Sequence, residues 1–479
     1  MQTTQLSHPR SLRTFFATEM WERYGFYVVQ TLLALYLALH FQWPDKRVYA
    51  LVGSFTALTY LSPVIGGWIA DHLIGQKRAI LTGALVLFFS YLSISFVSTD
   101  ANLCLALAGV AVGTGLLKPN ISSLLGNEYP EDAPNRESGF TIFYMGLTTG
   151  IVLGTTLPSY ISEHFGWSSA FVSAAIGMII AGLVFIQGMY CYKIRDYHDY
   201  QFEFYKIIIA AALMIFLWLL SYYILNYPRL ADTVFVSVVL LSLAYFIRCI
   251  RQESIAQSKQ TIVIGLLCVI SVMFWAFYFQ MFLSLTLFIA RVVNPTVFGI
   301  QFPPPYYVGI QSIGMIVLGF ILARGKARLT HAQHAIRTGN KFLIAMFCMT
   351  ISYALITTIC HFSFPVGLLS PLYLIPAYLV ISLAELLLSP VGLSAVTVLA
   401  SRKKVSTMMG IFFVSLGLGG FLSGKLASLT AIPIGNTTLM DLKSHYATSF
   451  SHLLTILCIA TICCFFINML IKRLMSTPQ

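Results

Sequence analysis

Fourteen apolar runs, each about twenty residues or longer, punctuate this chain of 479 residues. A run of that length crosses the roughly 30 Å hydrocarbon layer of a bilayer as a helix, and a helix satisfies its own backbone polar groups where no water can. The runs lie near 15–40, 48–70, 79–98, 102–125, 138–160 and 167–192, then near 205–226 and 232–250. Six more follow near 260–290, 306–323, 341–361, 370–399, 405–430 and 447–472. Composition agrees, with 58% hydrophobic and 10% charged residues where a soluble chain carries about one quarter charged. The reading is an all-α polytopic membrane protein with 14 transmembrane helices. It divides into an N-terminal six-helix bundle (1–192), a two-helix insert with linkers (193–258) and a C-terminal six-helix bundle (259–479).

The net charge of +12 comes from cations lying between apolar runs, with no basic run of interleaved aromatics, so nucleic acid is not an expected partner. Of the 29 lysines and arginines, 21 fall on the side of the N-terminus. Lys46, Arg47, Arg229, Arg291 and Lys443 fall on the other, and Arg23, Lys118 and Lys425 lie inside helices. That bias places both termini in the cytoplasm. Nine cysteines include no CxxC, and Cys104, Cys268, Cys348 and Cys458 sit in apolar runs as small buried hydrophobes, so neither a disulfide framework nor a metal site is expected. HExxH, GxSxG and Walker patterns are absent, as is an appended soluble domain, which argues against an enzyme. The first run carries acids and is too long for a cleavable signal, so it is expected to stay as a helix.

Charge inside such helices is costly and points to an ion or substrate path. Glu19, Glu22 and Arg23 lie three and four residues apart, on one face of the first helix; an interfacial patch near Arg13 is the alternative. Lys118 precedes Pro119, which removes a helix hydrogen bond and permits a bend. Glu385 stands shortly before Pro390 in the second half, and Lys425 lies nearer an interface, where it can snorkel. Glu19, Glu22, Arg23, Lys118 and Glu385 sum to one negative charge, so one protonation neutralises the set, a basis for proton coupling. Asp71, in GGWIADHLIGQKR, sits in a turn whose charges can latch a gate or form an ordinary polar loop. Gly417, Gly419, Gly420 and Gly424 suit close helix packing. Tyr27, Tyr60 and Trp275 are candidate cavity aromatics, with core or lipid-facing positions as the alternative.

These segments resemble the proton-dependent oligopeptide transporter family (POT/PTR) of the major facilitator superfamily. Glu19, Glu22 and Arg23 match its ExxER motif, with Tyr24 and Tyr27 following. GGWIADHLIGQKRAI is similar to its helix 2–3 motif, GTGLLKPNISSLLGNEY (Gly113–Tyr129) to its helix 4 signature, FYMGLTTG (Phe143–Gly150) to helix 5, and ELLLSPVGLSAV (Glu385–Val396) to helix 10. The resemblance implies a major facilitator fold of two six-helix bundles plus two inserted helices. It implies proton-coupled import of di- and tripeptides across the bacterial inner membrane by alternating access, with the proton gradient as energy source and no cofactor. Its partners would be small peptides, protons and the lipid bilayer, and the protein is expected to be a monomer. By matching position, Arg23 and Lys118 would attract the peptide carboxylate and Glu385 its ammonium group. Glu19 and Glu22 would serve proton coupling and pair with Lys118, and Tyr27 and Tyr60 would contact the peptide.

The chain departs from that pattern at four places. Phe279, followed by Gln280, stands where many relatives carry a helix 7 glutamate, and Gln30 replaces a second helix 1 arginine. With both gone, no orphan charge remains, and a gate without that ion pair is expected. Thr148 and Gln311 stand where asparagines often contact the peptide. These changes keep open a related carrier for another small solute, such as an amino acid, a peptide-like drug or an anion.

Overall fold

Hydropathy dictates helices almost throughout, and the computed structural model forms them. It describes residues 8–130, 135–194, 196, 203–322, 330–362, 367–401, 404–433 and 438–476. Of the cations used to orient the chain, Arg195, Arg324, Lys326, Arg328, Arg402 and Lys403 lie outside the described residues. Contacts divide the chain into two units, one running to Leu33 and again from Leu58 to Tyr227, the other comprising Ala34–Ala57 and everything from Pro228.

The first unit holds most of α1 (Leu12–Leu35), the second half of α2 (Asp45–Ile69), and α3 (Gln76–Ser95), α4 (Asp100–Asn127), α5 (Arg136–Phe165), α6 (Trp167–Tyr192) and α7 (Phe204–Asn226). Thr99 caps α4 by accepting from the Asn102 N–H at 3.3 Å. Pro119 deprives the Gly115 carbonyl of its helical donor, and Gly66 of α2 packs directly on that carbonyl, where any side chain would collide. The helix α7 joins this unit through Trp218, whose Nε1 donates to the Leu105 carbonyl at 2.8 Å. Its apolar face covers Ile69, Ala70, Ile74 and Val112.

The second unit holds the remainder of α1 and α2 with α8 (Pro228–Gln252), α9 (Ile255–Tyr278), α10 (Ser284–Val292), α11 (Pro305–Leu322), α12 (His331–Phe362), α13 (Ile375–Leu399), α14 (Val405–Ala427) and α15 (Leu439–Ser476). A two-residue hairpin, β1 (Thr296–Val297) and β2 (Ile300–Gln301), turns at Gly299 with φ 79°. A 3₁₀ turn at Phe279–Phe282 joins α9 to α10, so the two form one span. The glycine stripe of α14 does pack closely: a methyl on Gly53 would come within 2.8 Å of the Gly424 Cα.

Counting α9 and α10 as one span gives fourteen among the described residues. Twelve are long and apolar enough to cross a membrane by length and composition; α11 is shorter, and α1 carries the charged trio. The two inserted helices part company. One packs into the first unit and the other into the second.

Candidate functional site

In the first unit, α1 buries Glu19, Glu22 and Arg23 at 2%, 0% and 3% exposure. Arg23 grips Glu22 with a bidentate fork: Nη2 donates to Oε1 at 2.5 Å and Nε donates to Oε2. Glu19 Oε1 lies 3.5 Å from Arg23 Nε, one helical turn away, while Glu19 Oε2 is buried with no hydrogen-bond partner among the described residues. The guanidinium carbon stands 5.0 Å from the centre of the Phe26 ring. Two carboxylates against one guanidinium leave one excess negative charge. A proton on Glu19, the acid with an oxygen to spare, would neutralise the trio.

Lys118 projects from α4 beside Pro119, and its Nζ lies 4.7 Å from the Tyr60 ring centre, a cation–π contact. No ion pair joins Lys118 to Glu19 or Glu22, so the pairing implied by family resemblance is not made in this conformation. Arg23 already occupies both oxygens of Glu22, and the planar fork outcompetes a point charge there. Tyr27 is half-buried, edge-on to Phe26 at 5.5 Å. Gln30 is buried in α1 at 2%. Thr148 turns its hydroxyl onto its own helix, donating to the Tyr144 carbonyl at 3.0 Å. Asp71 is exposed in the π-turn Ala70–Ile74 that ends α2. Asp196 accepts from the Lys77 N–H at 3.0 Å at the start of the following helix.

In the second unit, Glu385 on α13 accepts two neutral hydrogen bonds on Oε2, from Tyr278 OH at 2.8 Å and Gln311 Nε2 at 2.6 Å. Among the described residues no cation pairs with it. Phe279 joins an aromatic stack, 5.3 Å from Trp275, which meets Tyr278 edge-on at 4.7 Å. Trp275 is itself 4% exposed, and its indole N–H finds no acceptor among the described residues. Gln280 fills the break between α9 and α10. Its Nε2 donates to the Ala276 and Ser423 carbonyls at 3.1 and 2.8 Å, and its Oε1 accepts from Ser284 at 2.6 Å. Lys425 is half-exposed and pairs with Asp232 at 2.6 Å.

Two arrangements escape sequence reasoning. Tyr278, a partner of Glu385, is one aromatic among several in its helix. Arg291 grips Asp45 with two bonds, at 2.8 and 2.7 Å, and also donates to Tyr446 OH at 3.0 Å, across 246 residues of chain from Asp45. Among the described residues no cluster of histidine, cysteine or acid suits a metal.

Solved structures share this fold over nearly the whole chain. One, described under substrate recognition in proton dependent oligopeptide transporters, has a TM-score of 0.83 at 26% identity, covering 97% of this chain and 99% of that one. A mutant of the peptide transporter POT in complex with alafosfalin gives 0.83 at 26%, covering 99% and 98%. The tetrameric PepTSo2 gives 0.84 at 26%, covering 97% and 99%. The fold and its sparse buried charges define an integral membrane carrier of the major facilitator type, not an enzyme. The family model PTR2, the POT family, matches residues 77–440, and the chain belongs to that family. Curated relatives include dipeptide and tripeptide permease B of Salmonella typhimurium, 28% identical over 99% of this chain and 98% of its own length. Permease A of Klebsiella pneumoniae is 30% identical over 89% and 85%.

Proposed function

We propose that this chain is a proton-coupled symporter importing di- and tripeptides across the bacterial inner membrane by alternating access. It works as a monomer with both termini in the cytoplasm, and the proton gradient is its energy source. The observation that carries the reading is one buried charge without an ion-pair partner in each unit, Lys118 against the Tyr60 ring in the first and Glu385 between Tyr278 and Gln311 in the second. Short peptides differ in side chain but share an anionic and a cationic end. The carboxylate goes to Lys118, with Arg23 adding positive potential, and the ammonium group to Glu385, whose two neutral bonds share one oxygen. Tyr27, Tyr60 and Trp275 serve the backbone and side chains of the peptide, and the Trp275 N–H remains available as a donor. Glu19 and Glu22 handle the proton, with Arg23 bound to both oxygens of the second acid.

The test is uptake of labelled dialanine into proteoliposomes with and without an inward proton gradient. The expected outcome is gradient-stimulated accumulation. Correctly inserted protein that accumulates no di- or tripeptide overturns the reading. Gradient-driven uptake of a free amino acid or an anion in its place favours a carrier for another solute, the alternative that Gln30, Thr148, Phe279 and Gln311 motivate.

A further inference from the structure

Tyr91, in the second half of α3, is 0% exposed, and its hydroxyl has no hydrogen-bond partner among the described residues. Tyr307 and Tyr353, as deeply buried, donate to the Pro371 and Phe277 carbonyls at 3.0 and 2.9 Å. A buried tyrosine hydroxyl ordinarily finds such a partner, so an orphan calls for one. The ring reaches α1 because Gly25 carries no side chain: a Cβ there would come within 2.9 Å of Tyr91 Cε2. Gly25 stands three residues past Glu22, about one helical turn, and Glu22 and Arg23 both lie close enough to act on the hydroxyl electrostatically. Glu22 is the anion of the two, and in this conformation Arg23 holds both its oxygens. Tyr378 in the second unit also lacks a partner, but the group acting on it is another tyrosine, Tyr307.

We infer that Tyr91 is a positioning residue for Glu22, a second donor that takes over when Arg23 lets go. The inference rests on the peptide-transport reading, in which Arg23 faces two carboxylates, that of Glu22 and that of the peptide. Turning one guanidinium N–H toward the peptide strips a donor from a buried Glu22 oxygen. The Tyr91 O–H, held against the same stretch of α1, donates to that oxygen in its place. Glu22 is then never left with a desolvated, unbonded oxygen. The hydroxyl therefore favours the peptide-bound state and adds no hydrogen bond to the peptide-free one.

The test is Tyr91→Phe, which removes only the hydroxyl, in the full-length protein. In proteoliposomes the KM for dialanine counterflow should rise about tenfold with the maximal rate little changed, as for the loss of a hydrogen bond to a charged group. The peptide-free protein should keep or raise its thermal unfolding midpoint. With Glu22→Gln already in place, the same change should weaken dialanine binding, read by calorimetry, only about twofold or less. An unchanged KM, a lowered midpoint of the peptide-free protein, or the same weakening in both backgrounds overturns the inference. If the unsubstituted protein exchanges no dialanine, the transport reading fails and this inference falls with it. If it exchanges dialanine and Tyr91→Phe does so identically, the inference alone fails.

Discussion

The opening helix of each half faces the same difficulty, a polar group inside an apolar bundle, and the two answers differ in kind. In α1 the answer is ionic: Arg23 grips Glu22 and stands near Glu19, which keeps one buried oxygen unbonded. At the α9–α10 break the answer is neutral: the Gln280 amide gives two hydrogen bonds and receives one. An ionic cluster can change charge state with a proton, whereas a satisfied amide cannot. Under the proposed function, proton handling belongs to the first unit and shape to the second.

The contrast breaks most readily at Glu22. Glu22→Gln is expected to abolish gradient-driven accumulation while preserving counterflow exchange in proteoliposomes. It leaves Arg23 short of its bidentate partner, at a cost of up to about 3–5 kcal/mol in denaturant unfolding. Full accumulation in this variant would remove Glu22 from coupling. Gln280→Glu is expected to come next, because a carboxylate has nothing to donate to the Ala276 and Ser423 carbonyls; roughly 2–4 kcal/mol of destabilisation should appear in thermal unfolding. Glu385→Gln should lower uptake of peptides with a free amino terminus by about ten- to a hundredfold, as expected for losing a charge-assisted bond of about 1.5–3 kcal/mol. N-acetylated analogues should lose much less, and equal losses would count against ammonium recognition. Away from both clusters, Trp218→Phe should cost about 1 kcal/mol through the lost bond to Leu105. Lys425→Met should cost about 1 kcal/mol or less, since that pair is half-exposed.

Much of this architecture is legible in the sequence because a bilayer imposes a simple rule. Long apolar runs give the helices, and spacings of three and four in the ExxER stretch place its charges on one face. Competition between cations is not written there. Lys118 and Arg23 both suit Glu22, and only geometry shows that the fork occupies both oxygens and leaves the lysine to Tyr60. The same holds for Asp45 and Arg291, whose separation of 246 residues leaves no local pattern. The inserted helices read as one segment because they adjoin in sequence, yet Trp218 carries α7 into the first unit while α8 packs on α9 and α14. Gln280 reads only as the neighbour of a missing glutamate until its three bonds are seen.

Those bonds have a consequence at the level of inheritance. Glutamine and glutamate codons differ by a single base, so the acid is always one replication error away at this position. The hydrogen-bond polarity of the α9–α10 break acts as a filter on that error, because both facing carbonyls demand a donor. In a saturation library selected for transport, acid at position 280 should be depleted even though its shape is nearly unchanged. Substitutions at Phe279, whose contacts are aromatic and directionless, should be filtered by size instead.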